Sequence, residues 1–222
     1  MSGRWSIGKL FRFEAARTVD GRHDGHSFTV EAALTARTLD GVGFVVDFGR
    51  LAPLKQHIDT VLDHQFLNAQ VPDVSDRGLS AYLTTWARDH LAPDIGAALA
   101  EVRIRTGRPT HPADEFAVTF EAAHHLVGLP SGHQCSRRHG HSYLVTASAE
   151  GGEPAKVPQA LRQHVEDVLD GAVLNEALPF NPTSERLSAY LMDLLVGQGA
   201  APAAVRVSET ETSWAEYTRE AA

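Results

Sequence analysis

The apolar positions change period along the chain in a regular order. Ser27-Phe28-Thr29-Val30-Glu31-Ala32-Ala33-Leu34 partly alternates apolar and polar side chains, the two-residue repeat of a strand with one buried face. Phe44-Val45-Val46-Asp47-Phe48 follows Gly41-Val42-Gly43, and its β-branched and aromatic character predicts a hairpin partner strand. From Leu51 the period lengthens. Leu51, Leu54, Ile58 and Val61 fall at helical spacing, and so do Leu161, Val165 and Val168. A second helix is expected to begin near Asp76 and again near Thr183, where Pro182-Thr183-Ser184-Glu185 supplies a capping residue before an apolar run. A short strand closes each half. The predicted unit is strand, strand, helix, helix, strand, strand, an α+β arrangement with an antiparallel sheet and two helices on one face.

The same pattern occurs twice because the chain is an internal duplication. Phe13-Glu14-Ala15-Ala16 recurs as Phe120-Glu121-Ala122-Ala123, and Gly25-His26-Ser27-Phe28 as Gly140-His141-Ser142-Tyr143. Val61-Leu62-Asp63 with Leu67-Asn68 returns as Val168-Leu169-Asp170 with Leu174-Asn175. Leu79-Ser80-Ala81-Tyr82-Leu83 returns as Leu187-Ser188-Ala189-Tyr190-Leu191, and Val102-Arg103-Ile104 as Val205-Arg206-Val207. Matches in the same order in both halves are the signature of a repeat. The Gly and Pro residues of Gly107-Arg108-Pro109-Thr110-His111-Pro112 read as the connector. Two domains are therefore expected, 1–109 and 110–222.

Composition narrows the partners. A formal charge of −8 with 20 scattered basic residues gives no footprint for a nucleic-acid backbone or an acidic membrane surface. No apolar stretch approaches the roughly 20 residues of a membrane helix, and the start of the chain lacks the charged-then-apolar run of a secretion signal. The single cysteine, Cys135, rules out an internal disulfide. A cytoplasmic location is expected, without nucleic-acid or membrane partners.

The candidate chemistry concentrates in the second half, where His124, Cys135, His139 and His141 fall within eighteen positions. His139 and His141 are one residue apart, and on a strand positions i and i+2 share a face. A third histidine from a neighbouring strand would complete three imidazoles with an open fourth position, the donor set of catalytic zinc.

Phe120-Glu121-Ala122-Ala123-His124, followed by Gly132-His133-Gln134-Cys135-Ser136-Arg137-Arg138-His139-Gly140-His141-Ser142-Tyr143, resembles the signature of the 6-pyruvoyl and 6-carboxytetrahydropterin synthase family. The resemblance implies two tandem tunnelling-fold domains, with zinc on His124, His139 and His141 and Cys135 as catalytic base. It gives no such role to His125. It implies a late glutamate that anchors a pterin ring through paired N–H bonds, matched by Glu209, with Glu185 a further candidate for substrate binding. Arg137 and Arg138, beside the cysteine, are candidates to meet substrate phosphates. In the family an Asp-His pair completes a triad with the cysteine.

That pair is intact only in the first half, as Leu62-Asp63-His64, whereas the second half reads Leu169-Asp170-Gly171. Conversely, the first half has Arg17 where the first zinc histidine belongs, Asp24 where the second belongs, and no cysteine. It also has Thr106 near the place of the late glutamate, and it keeps Val46-Asp47-Phe48 where the second half is shortened to Pro154-Ala155. Each half lacks what the other holds. Since family members are oligomers with sites between subunits, the expected site takes zinc, Cys135 and Glu209 from the second domain and Asp63 and His64 from a first domain, in the same chain or another. The implied substrate is 7,8-dihydroneopterin triphosphate and the product a 6-carboxy- or 6-pyruvoyl-tetrahydropterin. The Gly132-His133-Gln134-Cys135 context resembles the bacterial 6-carboxy enzymes of 7-deazaguanine (queuosine) biosynthesis. A homo-oligomer is expected, a trimer or its multiples, alternatively a dimer. The alternative function is a non-catalytic pterin- or metal-binding scaffold of the same fold.

Overall fold

The computed structural model describes residues 3–19, 22–106, 114–136 and 139–219. Arg137 and Arg138 therefore lie outside the described residues, as do the side chains of Asp24 and His26. In chain order the first half gives β1 (Gly3–Val19), β2 (Arg22–Ala36), α1 (Ala52–His57), β3 (Gln65–Phe66), α2 (Asp76–His90), α3 (Pro93–Ala98) and β4 (Leu99–Thr106). The second half gives β5 (Ala117–His124), β6 (His139–Ser148), β7 (Pro154–Ala155), α4 (Gln159–His164), α5 (Leu174–Ala177), α6 (Ser184–Gly197), β8 (Ala204–Thr210) and β9 (Ser213–Arg219). No helix of the described residues is long and apolar enough to cross a membrane.

Contacts divide the chain into two compact units. One is drawn from Gly8–Thr35 and Val46–Thr110, the other from Met1–Ile7, Ala36–Val45 and His111–Ala222. In the first of these units β2 pairs antiparallel with β4, in register from Phe28↔Thr106 to Ala33↔Glu101, with a shift before Leu34↔Leu99. The short β3 adds in parallel to β1 through Ala15↔Gln65. In the other unit the strands run β9-β8-β6-β5, antiparallel throughout, with β7 on β6. Alternate residues Phe120, Ala122, Tyr143, Val145, Val205 and Val207 make the inner face, and Leu161, Val165, Leu169, Leu187, Leu191 and Leu195 cover it. Each of these leucines removed from water contributes about 2 kcal/mol, which holds α4 and α6 to the sheet.

The four helices read from the apolar spacing, α1, α2, α4 and α6, form where expected, and the short α3 and α5 are additional to them. Ser75 caps α2 by accepting the Gly78 N–H at 3.0 Å, and Thr183 caps α6 by accepting from Arg186 at 3.3 Å. The last turn after α1 (Ile58–Leu62) and after α4 (Val165–Leu169) is a π-turn. One residue more per turn shifts the buried position. Leu62 and Leu169, rather than the expected Val61 and Val168, are the wholly buried side chains.

Two predicted elements differ. Phe44–Phe48 is not a strand. Its surroundings take the backbone donors elsewhere: the Asp40 carboxylate accepts the N–H groups of Val42, Gly43 and Phe44 at 2.8–2.9 Å, and Val45 donates to Glu185. The first half also closes with one described strand, β4, where two were expected; α3 occupies the chain just before it.

Candidate metal centre

Strand register assembles the three histidines. In the β5–β6 pair His124 lies opposite His139 and Ala122 opposite His141, so all three project from one face. Gly140 separates the two β6 ligands, and a side chain there would press on the Ala122 carbonyl at 3.3 Å. The donor nitrogens of His124, His139 and His141 all lie within 4.8 Å of one another. Among the described residues this is the one group of three or more His, Cys, Asp or Glu donors close enough to share an ion. Cys135 is not part of it. The cysteine sits in a short turn, half-buried, with its carbonyl accepting the Leu126 N–H at 2.8 Å.

The protonation pattern suits a metal. His124 is 1% exposed, and its Nδ1 faces the Pro182 carbonyl at 2.9 Å. A carbonyl can only accept, so Nδ1 carries the hydrogen and Nε2 presents its lone pair inward. Burial lowers the affinity of His124 and His141 for a second proton, against the opposing charge of Glu209. Neutral imidazoles are the ligand form. The Nε2 atoms of His124 and His139 stand 3.2 Å apart, close to the roughly 3.3 Å edge of a tetrahedron with metal–nitrogen bonds of about 2.05 Å. The donor set and its spacing fit a metal ion.

The cap and first turn of α6 add further polar contacts. Ser184 Oγ donates to Glu209 at 2.9 Å, and Thr183 Oγ1 donates to the Gly43 carbonyl at 2.9 Å. Glu185 is 4% exposed and accepts the Val45 N–H at 3.1 Å. Burial, joined by the charge of Glu209, pushes its carboxyl up to about 8. Burial likewise raises the Tyr143 hydroxyl far above its ordinary range.

The other unit has a different set of groups at the place of the histidines. Arg17 stands at the place of His124 and donates to the Val74 carbonyl at 2.8 Å, the aligned counterpart of Pro182. It also pairs with Asp76 at 2.7 Å and lies over the Phe28 ring at 5.0 Å. Asp63 and His64 belong to this unit. Asp63 accepts the Glu14 N–H at 2.8 Å and faces His64 Nδ1 at 2.8 Å. The Glu14 N–H first, then His64, hold its carboxyl below the usual carboxylate range. His64 has φ +55 and a side chain 78% exposed.

The 6-pyruvoyl tetrahydropterin synthase family model matches the chain twice, over residues 6–113 and 115–220. The chain belongs to this family. It is also 32% identical over 110 residues to an Archaeoglobus fulgidus protein whose provisional name is 6-carboxy-5,6,7,8-tetrahydropterin synthase, covering 46% of this chain and 92% of that protein. Among solved structures, 6-pyruvoyl tetrahydropterin synthase of Caenorhabditis elegans overlays with a TM-score of 0.40 at 15% identity, over 48% of this chain and 96% of that one. An uncharacterized Wolinella succinogenes protein overlays with a TM-score of 0.27 at 17% identity, over 98% and 99% of the two chains. Membership rests on the two sequence matches. With the observed sheets and helices, they bear out the α+β, tandem tunnelling-fold reading.

One feature of this unit is not legible in the sequence. The loop Ala36–Val45 belongs to the unit that holds the histidines, and its backbone, not a side chain, meets Glu185 and Thr183. No side-chain motif marks such a contact.

Proposed function

We propose that the protein is a zinc-dependent pterin synthase of the lyase type, converting 7,8-dihydroneopterin triphosphate to a 6-carboxy- or 6-pyruvoyl-tetrahydropterin. The observation that carries this is the convergence of His124, His139 and His141 within 4.8 Å, in a chain that matches the family model along both halves. These three imidazoles would hold zinc, which when bound supplies Lewis acidity toward hydroxyl and developing carbonyl oxygens of the substrate side chain.

The remaining roles fall to the chain's own groups. Cys135 removes and returns the proton on the side-chain carbon. Asp63, kept ionised, fixes the His64 ring through Nδ1 and leaves Nε2 to exchange a proton with substrate. Glu209 receives paired N–H bonds from the pterin edge. Glu185, protonated at neutral pH because its carboxyl is pushed up to about 8, offers a neutral partner beside it. Arg137 meets the phosphates.

In this reading the repeats are 1–109 and 110–222, and the active site draws Cys135 and the histidines from one and Asp63 and His64 from another, within a homo-oligomer. A trimer or its multiples matches six domains; a dimer would supply four. The single cysteine and the absence of a membrane-spanning helix among the described residues support a cytoplasmic setting. The sequence around Cys135 favours the 6-carboxy product and 7-deazaguanine synthesis.

The test is incubation of zinc-loaded protein with 7,8-dihydroneopterin triphosphate, with products identified by mass. Wild type should yield a 6-substituted tetrahydropterin. Cys135→Ala should keep its zinc and bind the pterin, seen by ligand fluorescence, without turnover. Binding without turnover in the wild type as well would favour a scaffold instead.

A further inference from the structure

Both repeats use an asparagine as a two-ended clamp on a neighbouring loop. Asn68 accepts the Thr18 N–H at 2.7 Å and donates to the Thr18 carbonyl at 3.0 Å. The aligned Asn175 does the same to His125, at 2.9 and 2.8 Å. Because this clamp occurs with and without the metal ligands, it belongs to the fold.

Among the described residues a second clamp occurs only beside the histidines. Asn181 Oδ1 accepts the Val127 N–H at 3.0 Å, while its Nδ2 donates to the Val127 carbonyl at 3.1 Å and the Val42 carbonyl at 2.7 Å. Alignment through the α2 and α6 repeats puts Asp73 at this place in the first half. Asp73 makes a local turn instead, accepting the Ser75 N–H at 2.9 Å. The clamped residue matters because its neighbour, Leu126, donates to the Cys135 carbonyl at 2.8 Å. Val127 itself is 57% exposed, so packing does little to hold it. Asn181 directly precedes Pro182, whose carbonyl orients His124.

We infer that Asn181 is a positioning residue for Cys135, tying the loop that carries the thiol to the backbone that orients His124. The inference rests on the proposed role of Cys135 but is tested independently of turnover. Cys135 is the one cysteine in the chain, so alkylation by iodoacetamide reports that thiol alone. Asn181→Ala removes both ends of the clamp; Asn181→Asp keeps the acceptor and loses the donors.

Expected for Asn181→Ala is about tenfold faster alkylation, the equivalent of two neutral hydrogen bonds lost from loop closure. Zinc content should be unchanged, and kcat should fall by roughly ten- to a hundredfold with KM within about twofold. Asn181→Asp should fall between. Alkylation and kcat within about twofold of wild type in both variants would overturn the assignment. Absence of turnover in wild type would remove the pterin reading while leaving the alkylation comparison intact. Should Asn181→Ala fail to fold, amide exchange in the wild type decides: Val127 should be protected despite its exposure, and free exchange there would overturn the clamp.

Discussion

The Glu185 carboxyl is buried, takes one N–H bond from Val45 and feels the charge of Glu209. Its folded-state affinity for the proton is raised from the ordinary 4.5 to about 8. Below the ordinary value both folded and unfolded chains hold the proton, and stability is at its fullest with respect to this group. As pH rises toward 8 the unfolded chain releases its proton while the folded one keeps it, so stability falls, by at most about 1.4 kcal/mol per pH unit. Glu185→Gln keeps an acceptor for Val45 and cannot ionise. In urea unfolding of the metal-free protein, the variant's advantage should grow from pH 5 to pH 8. A difference independent of pH would contradict the burial argument. The sequence marked Glu185 as a capping-segment residue and substrate candidate, but its burial depends on the Ala36–Val45 loop, which no local pattern reveals.

At the scale of elements, the turn after each π-turn is built alike. Asp63 and Asp170 each accept the amide of the first-strand glutamate, at 2.8 and 2.9 Å, and the next residue takes a positive φ, +55 at His64 and +69 at Gly171. Glycine is at ease there; histidine is not, at about 1–2 kcal/mol. Asp63 is thus common to both repeats as a cap, and what distinguishes the first is a strained histidine, which points to a use. His64→Gly should leave stability within about 1 kcal/mol of the parent, since relief of strain offsets the added chain freedom. Turnover should fall roughly a hundredfold or more; undiminished turnover would remove His64 from the mechanism.

The same comparison marks how far the sequence was legible. Helix starts, the repeat and the His139–His141 pair could be read, because capping, periodicity and i, i+2 spacing are local; His124, on another strand, is named by the family resemblance. The extra residue of each π-turn, which buries Leu62 and Leu169, leaves no trace in composition. Phe44–Phe48 reads as a strand by propensity, yet the local Asp40 turn takes the donors that lead into it and the distant Glu185 takes that of Val45.

For the whole molecule, the two repeats differ at one place: Arg17 and Asp76 make an ion pair where the other repeat gathers three histidine donors. If the proposed triad crosses a chain boundary, co-expressed Cys135→Ala and His64→Ala chains should regain activity that neither has alone. Light scattering that shows a fully active 24.0 kDa species would contradict both the oligomer and a site that crosses a chain boundary. The central claim, one zinc-dependent pterin site per duplicated chain, is met most directly by titrating metal-free protein with zinc while following turnover of 7,8-dihydroneopterin triphosphate. Activity should rise linearly and break at one zinc per chain; turnover without zinc, or a break at two, would contradict the account.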